Sequence, residues 1–439
     1  MEKFFAVFKL GLKYLYRYRR RYGFLVAALI FGFAVVTFIT SIKDGMYDNV
    51  YYTAQSHYAG DIVAIGYDNT NTYGDYSHHL GQKEISAILN AADRAEINPK
   101  YTVLRTIYGA DGIVHFNGNT VQLKYLMGCD WDKEAHLLNK LNFDDTPDST
   151  LGNEDIILSV PTAQQLGAKM GDSIILETLT RWGQKNTGIF IVRGIVRDTS
   201  IFGYYKAYVS RLSLNRLIDF EDGDCSSVGF FFDKPSDSEN KRILLQNALS
   251  NQIQLGPLVY DRDQMALERD RPWKGIKVFL YTLPVYLSEI SELLEAMNLI
   301  TYLLYGMMLL IILVSAAVTY RLILHERAKE MGTMRIIGFY GGDLRLVLWT
   351  EVLVIGLISL IAGFILAQVF CWVVSLLSFS WFPGFDIFLK NGKLLPLYLP
   401  KTMFVNIILV FVVLFVMALL PSIRASRKNL PGLLSGEPL

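Results

Sequence analysis

The chain has 439 residues, of which 52% are hydrophobic and 19% are charged, against roughly 25% charged residues in an average soluble protein. Forty-two basic residues against 41 acidic ones leave a net charge of +1, so the overall charge gives no indication of nucleic acid as a partner. This composition argues against a purely soluble protein.

Four apolar segments are long enough to cross a membrane, which takes about 20 mostly apolar residues per helix. The first is preceded by basic residues, as in a signal peptide, but its apolar part is longer than usual and no small-x-small cleavage pattern follows it. We therefore predict a retained helix there. The predicted membrane helices cover residues 23–42, 297–324, 346–374 and 403–421.

Basic residues near the helix ends predict the orientation. They form three clusters, at 17–21, 321–345 and 424–428, and all three lie in the cytoplasm if both termini do. Segment 1–22 is then either an amphipathic helix on the inner membrane surface or a charged leader that only fixes the topology. Residues 422–439 become a cytoplasmic tail.

Two segments are expected outside the cytoplasm. Residues 43–296 are long enough for one or two domains and mix helical and β-rich patterns, with the β-rich part at about 151–232. A hairpin is predicted between Leu176 and Phe190, with residues 181–188 as its tip. Residues 375–402 form a second outer loop. The predicted fold is thus an α-helical polytopic membrane protein with four transmembrane helices and a large α+β extracytoplasmic domain between helices 1 and 2.

No catalytic or metal-binding pattern is found. The sequence has no phosphate-binding Gly-x-x-x-x-Gly-Lys-Ser/Thr loop, no Gly-x-Ser-x-Gly elbow and no spaced His or Cys metal set. The adjacent His78 and His79 are interpreted as solvated in a polar loop. Cys129 and Cys225 permit a disulfide without indicating one. We therefore predict no catalytic residues, no metal and no cofactor in this chain.

The segment 325–345, after the second membrane helix, is charged on one side and carries an apolar stripe of Met331, Met334 and Ile337. It is either a docking element for a soluble partner or a solvated loop helix. Glycines from Gly338 to Gly342 are expected to end the helix and turn the chain back to the membrane. The helix itself is expected to continue without a break from residue 311 to 331.

The third membrane helix carries small residues that permit close helix packing. We expect them to pack within one subunit rather than at a dimer seam. Glu351 is expected to extend its carboxylate to the cytoplasm rather than to pair with a basic residue such as Arg345. The small residues are Gly356, Ser359, Gly363 and Ala367.

These motifs resemble the signature of the FtsX-like, MacB-type permease family of ABC transporters. The resemblance is carried by Glu326-Arg327, Lys329-Glu330-Met331-Gly332, Arg335, Gly338, Glu351-x4-Gly356, Gly363 and the tail from Pro421 to Pro431. Residues 156–209 are similar to the outer domain of lipoprotein-releasing permeases.

The resemblance implies a multi-pass protein of the bacterial cytoplasmic (inner) membrane. It implies a dimer with a second permease subunit, identical or homologous, and a cytoplasmic ABC ATPase dimer that binds ATP and Mg. The resemblance also implies membrane lipids as partners. A lipoprotein or a periplasmic carrier is a further candidate partner. The residues implied in ATPase coupling and mechanotransmission are Glu326, Arg327, Glu330, Gly332, Met334, Arg335 and Gly338.

Two functions remain open at this point. One is a transport subunit that extracts or exports a lipoprotein or another hydrophobic substrate, driven by the separate ATPase. The other is an FtsX-like signalling scaffold that activates an envelope enzyme without transport. The large outer region favours transport, whereas the short hairpin tip weakens the case for lipoprotein release.

Overall fold

A computed structural model gives the structure of two compact units. The membrane unit lies within residues 1–48, 295–378 and 393–439, and the sheet unit comprises residues 49–294 and 379–392. The structure describes residues 19–70, 77–109, 112–134, 138, 141, 143–145, 150–197, 205–233, 235–379, 381, 385, 388–390 and 392–427. Most of the predicted segment 1–22 and of the tail 422–439 lies outside the described residues.

The helices, in chain order, are α1 (Arg19–His57), α2 (Gln82–Arg94), α3 (Val160–Leu166), α4 (Arg211–Ile218), α5 (Ser238–Leu249), α6 (Arg262–Arg269), α7 (Leu283–Tyr286), α8 (Ser288–Glu326), α9 (Ala328–Ile336), α10 (Gly341–Leu376) and α11 (Pro400–Arg427). The strands are β1 (Ile62–Asp68), β2 (Ser77–His78), β3 (Tyr101–Tyr108), β4 (Ile113–Phe116), β5 (Asn119–Gln122), β6 (Tyr125–Cys129), β7 (Phe143–Asp145), β8 (Asp155–Ser159), β9 (Ser173–Leu179), β10 (Lys185–Val196), β11 (Lys206–Ser210), β12 (Ser227–Phe231) and β13 (Ile276–Thr282).

Four helices of the described chain, α1, α8, α10 and α11, are long and apolar enough to cross a membrane. They coincide with the four predicted segments but extend further. α1 continues from Ile42 to His57, α8 begins before residue 297, and α11 runs on to Arg427. Hydropathy marks the part of a helix that suits a membrane, and a helix continues beyond it wherever the backbone hydrogen bonds do.

The small residues of α10 allow close packing inside the membrane unit. A Cβ atom at Gly363 would lie 2.8 Å from the backbone oxygen of Ile30 in α1, and one at Gly356 would lie 2.6 Å from Leu414 Cδ1 in α11. Ser359 and Ala367 are fully buried. All four positions are therefore filled by packing within this one chain.

The thirteen described strands form one mixed sheet, with the order β13-β1-β12-β3-β6-β11-β8-β10-β9-β4-β5; β2 pairs with β1, and β7 with β10. The β8–β10 and β6–β11 pairs are parallel, and the others are antiparallel. β3 joins the two halves because residues 101–105 pair with β12 and residues 106–108 with β6.

Two expectations for this region change. Strands also lie outside the β-rich part expected at about 151–232, because the sheet begins with β1 at Ile62. The β9–β10 hairpin is present, but its turn is residues 180–184 rather than 181–188, since Lys185 already pairs with Leu179. Exposed polar side chains at the start of β10, such as Lys185 and Thr187, hid the longer hairpin from the sequence pattern.

The sheet unit has separate apolar clusters. One lies between the sheet and the helices α2 and α5 and includes Ile85, Ile88 and Leu245, and another includes Val192, Ile156 and Leu214. Cys129 and Cys225 are both buried free thiols, so the disulfide that the sequence permitted is not formed.

The interpretation of His79 as solvated is wrong. His79 is buried, with its Nδ1 3.1 Å from Asp68 Oδ2 and its Nε2 2.8 Å from Asp224 Oδ2. Arg181 Nη2 also lies 3.1 Å from Asp68 Oδ2. His79 is buried because the residues on either side of it are paired: β2 pairs with β1, and Leu80 forms a bridge with Cys225.

Replacement of Gly363 by valine is expected to separate α10 from α1, because the new Cβ would meet backbone rather than a flexible side chain. We expect a loss of stability of about 1–3 kcal/mol, measured as a lower thermal midpoint of the purified protein in detergent. Gly306→Val in α8 is the matched control, since a Cβ there has no neighbour within 4 Å. Equal midpoints for the two variants would contradict this packing.

The His79 cluster is expected to make stability depend on pH. Burial lowers the pKa of the imidazole, but hydrogen bonds to Asp68 and Asp224 outweigh it, so the pKa lies above its ordinary value of 6.5. A group whose pKa is higher in the folded state stabilises that state fully at pH values below its unfolded pKa. This stabilisation is lost as pH rises through the folded pKa. His79→Gln should therefore lower the thermal midpoint more at about pH 6 than at about pH 9. A constant difference would contradict this account.

Candidate functional site

The predicted coupling residues lie at the end of α8, in α9 and in the turn after it. Only part of the set faces outward. Glu326 and Gly338 are exposed, Glu330 and Arg335 are half-buried, and Arg327, Gly332 and Met334 are buried. The predicted docking stripe is thus divided, because Met331 and Met334 pack into the core of the membrane unit while Ile337 is 73% exposed.

The helix does not continue unbroken from residue 311 to 331, so that prediction is wrong. α8 ends at Glu326 and α9 begins at Ala328. Arg327 stands between them, with φ −93° and ψ 6°. Neither glycine nor proline marks the break. It occurs at the residue whose side chain enters the core of the membrane unit.

Arg327, Glu351 and Tyr22 form a buried ion cluster that joins three segments. The guanidinium Nη1 donates to Glu351 Oε2 at 2.7 Å, and Nη2 donates to Oε1 at 3.1 Å. Nη1 also donates to the Tyr22 hydroxyl at 2.7 Å, and that hydroxyl donates to Glu351 Oε2 at 2.7 Å. The cluster therefore ties α1 and α10 to the junction of α8 and α9.

We had expected the carboxylate of Glu351 to extend to the cytoplasm. That expectation is wrong, because Glu351 is 0% exposed. Burying one charge costs several kcal/mol, and a paired, fully hydrogen-bonded partner offsets that cost. The bidentate contact with an arginine is the geometry that does so best. Arg327 is thus a structural residue of the membrane unit rather than part of an exposed docking surface.

The outward face of this region has an apolar centre. Ile336, Ile337 and Tyr340 are 59%, 73% and 78% exposed, beside exposed Lys329 and Thr333 on α9. Gly338 follows α9 with φ +98°, a left-handed conformation that glycine adopts without strain. Its N–H bonds to Arg335 O at 3.2 Å. This turn fixes where Ile337 and Tyr340 are presented.

A second buried arginine holds the end of α1 in the sheet unit. Arg105 in β3 donates from Nη1 to Ser56 O at 2.6 Å and to His57 O at 3.3 Å. Its Nη2 donates to Glu134 Oε2 at 2.6 Å. Carbonyls at a helix C-terminus lack partners within the helix and carry partial negative charge. Arg105 therefore satisfies the last turn of α1.

Sequence reasoning missed these two clusters for different reasons. A carboxylate such as Glu351 in an apolar span is itself a signal, because such residues face the bundle interior and pair there. Its partner Tyr22 is 329 positions away, and no local pattern identifies it. Nothing in the sequence around Arg105 or Glu134 marks either as buried. In the described part of the chain, no group of three or more His, Cys, Asp or Glu residues could hold a metal.

Removal of one charge from the ion cluster is expected to be costly. Glu351→Ala leaves Arg327 buried without its counter-ion and should lose about 3–5 kcal/mol of stability, seen as a lower thermal midpoint in detergent. The double variant Arg327→Met/Glu351→Leu removes both charges and should recover most of that loss. If the double variant were less stable than Glu351→Ala, the pair would not be the source of the effect.

Comparisons with known proteins bear on both units. Residues 302–430 match the family model described as FtsX-like permease C-terminal, a span that contains α9, α10 and α11. No curated protein matches the chain. A crystal structure of the periplasmic region of MacB from Actinobacillus actinomycetemcomitans is similar at 12% identity, covering 54% of this chain and 95% of that one, with a TM-score of 0.31.

A second solved structure is a domain, described as that of a permease protein, from Porphyromonas gingivalis. It is similar at 10% identity, covering 50% of this chain and 86% of that one, with a TM-score of 0.26. Neither likeness is strong enough to define a shared fold. The family match and the four apolar helices together describe a multi-pass membrane protein. The resemblance predicted from the sequence is confirmed over residues 302–430, which match the FtsX-like permease C-terminal model.

Proposed function

We propose that this chain is the permease subunit of an ABC transporter, driven by a separate cytoplasmic ATPase dimer that binds ATP and Mg. The observation that carries the proposal is the FtsX-like permease match over residues 302–430. The chain has no phosphate-binding loop, which agrees with a non-catalytic subunit whose ATPase activity resides in a partner.

The proposed orientation places both termini in the cytoplasm of a bacterium, with the chain in the inner membrane. Basic residues support it, since Arg321, Lys329, Arg335 and Arg345 surround the α9 region and positive charge favours the cytoplasmic side. The sheet unit then lies outside the cytoplasm. α1 and α8 each contribute residues to both units, so these helices are the proposed route of transmission.

The proposed ATPase contact is the outward face of Lys329, Thr333, Ile336, Ile337 and Tyr340. It replaces the stripe centred on Met334, which is buried in the chain's own core. Three adjacent exposed apolar side chains with charged neighbours are typical of a protein contact with an apolar centre and a polar rim. The ion cluster beneath this face supports it by fixing the start of α9.

A second permease subunit is proposed to cover α8. The apolar window of α8 is only 11% buried, against 50% for that of α1. Leu303, Met307, Leu310 and Val314 are all more than half exposed. These residues lie at helical spacing on one face, which suits a helix of another subunit, with membrane lipids against the remainder.

The proposed substrate is a lipoprotein or another hydrophobic molecule. A signalling scaffold that activates an envelope enzyme is the second candidate, with the same ATPase partner and no cargo. The observation that favours it is the short turn of the β9–β10 hairpin, residues 180–184, which offers little length for gripping a carrier protein. Both candidates require the same outward face of α9.

Ile337→Asp is expected to reduce copurification with the ATPase at least about tenfold, because it places a charge in an apolar contact. The purified chain alone should show no ATPase activity, and the wild-type complex should hydrolyse ATP. Ile189→Asp in β10 is the matched control, since Ile189 is 67% exposed and belongs to the sheet unit. Both variants should keep the wild-type thermal midpoint.

Wild-type copurification and hydrolysis by Ile337→Asp would remove this face from the coupling contact. Hydrolysis by the isolated chain would overturn the non-catalytic assignment. Met334→Asp is unsuitable for the test because Met334 is 4% exposed, and a charge there would disrupt the membrane unit itself.

A further inference from the structure

The sheet unit contains a cavity of about 550 Å³ that the proposed function does not use. This volume is within the range of about 300–1,000 Å³ for small-molecule sites. Its walls come from the end of α1, from β1, β2, β3, β6, β12 and α6, and from α7. Arg262, which belongs to the wall, is exposed at the surface of the sheet unit.

Aromatic rings form much of the wall. Tyr58 and Tyr286 stack with ring centres 4.3 Å apart, and His57 meets Tyr125 edge to face at 4.8 Å. Tyr67 lies on the wall beside them. Rings held by each other in this way present fixed apolar faces at little entropic cost, which suits an apolar or aromatic ligand body.

Two hydroxyl groups on the wall have no hydrogen-bond partner within the described residues. One is Ser227 Oγ, on a residue that is 0% exposed, and the other is Tyr286 OH. A buried hydroxyl left unpaired costs free energy. Neither oxygen has accessible surface where it lies, so a molecule in the cavity bonds to one only after a side-chain rotation. Ser227 is the simpler case because rotation about its χ1 angle alone redirects the hydroxyl.

Among the described lining residues, the formal charges are all positive. Arg262 and Arg269 of α6 contribute the cations, and no carboxylate is among the described lining residues. Arg269 Nε lies 3.6 Å from Asp270 Oδ1. Burial, and then the charge of Arg269, lowers the pKa of His78 to about 4, so the imidazole is neutral at neutral pH. The positive charge of the wall is therefore concentrated on α6.

We propose that this cavity binds a small amphiphilic anion. Its apolar or aromatic body lies against the tyrosines, its carboxylate or phosphate pairs with Arg262 and Arg269, and the Ser227 hydroxyl, once rotated, donates a hydrogen bond to it. Guanidinium groups match both anions in geometry. The site requires neither the ATPase nor the outward face of α9, so its test is independent of the proposed function.

The test uses the full chain in nanodiscs of phosphatidylcholine and the photoreactive anion 4-benzoylbenzoate. Labelled peptides are identified by mass spectrometry, with uncharged 4-methylbenzophenone as the comparison probe. We expect the anion to label peptides around residues 57–67 and 262–269, and 2-naphthoate to compete with it. The uncharged probe should label membrane helices instead. Labelling of the cavity by both probes alike, or by neither, would overturn the proposal.

Matched variants test the individual groups. Arg262→Gln/Arg269→Gln should reduce cavity labelling at least about tenfold, since each charge-assisted hydrogen bond is strong. Arg271→Gln is the control, because Arg271 pairs with Glu268 at 2.8 Å, is 69% exposed and does not line the cavity. Equal labelling in the double variant and the control would reject the arginines as the anion site.

Ser227→Ala separates a ligand role from a structural one. The hydroxyl has no protein partner among the described residues, so its removal should leave the thermal midpoint unchanged or raise it. Competition by 2-naphthoate should nevertheless weaken about fivefold, the loss expected for one hydrogen bond. Unchanged competition would show that Ser227 does not contact the ligand.

Discussion

The pairing of Arg327 with Glu351 is the interaction on which the membrane unit depends. The two residues are 1% and 0% exposed, and a single charge at such a position would cost several kcal/mol. Tyr22 completes the cluster with a hydroxyl that bonds to both. Because the three residues come from α1, from the α8–α9 junction and from α10, their requirement for one another fixes how these segments meet.

The break between α8 and α9 coincides with the same interaction. Arg327 is directed inward at the residue where one helix ends and the next begins. Met331 and Met334 then fall on the buried side of α9, and Ile337 on the exposed side. The resemblance implied a coupling role for this arginine, but its side chain pairs within the chain. The surface left for a partner is therefore smaller and more apolar.

α1 is held by a buried arginine near each of its ends. Tyr22 is bonded by Arg327 in the membrane unit, and the carbonyls of Ser56 and His57 are bonded by Arg105 in the sheet unit. Asp61, just beyond the helix, accepts hydrogen bonds from Tyr51 and Gln55. These contacts hold each end of α1 in place within its own unit. The cavity of the sheet unit begins where this end of α1 meets its aromatic neighbours.

The sequence by itself determined the class of protein, the four apolar helices and the resemblance that residues 302–430 confirm. It did so because hydropathy and short motifs are local properties of the chain. The close-packing role of Gly363 was also predictable from small-residue spacing. The tertiary structure alone decided that Glu351 pairs with Arg327, that Met334 is buried, that β3 joins two halves of the sheet and that aromatic and basic residues enclose a cavity. Each of these depends on partners far apart in sequence, such as Tyr22 and Glu351, whose contact is set by packing and by the cost of an unpaired buried charge.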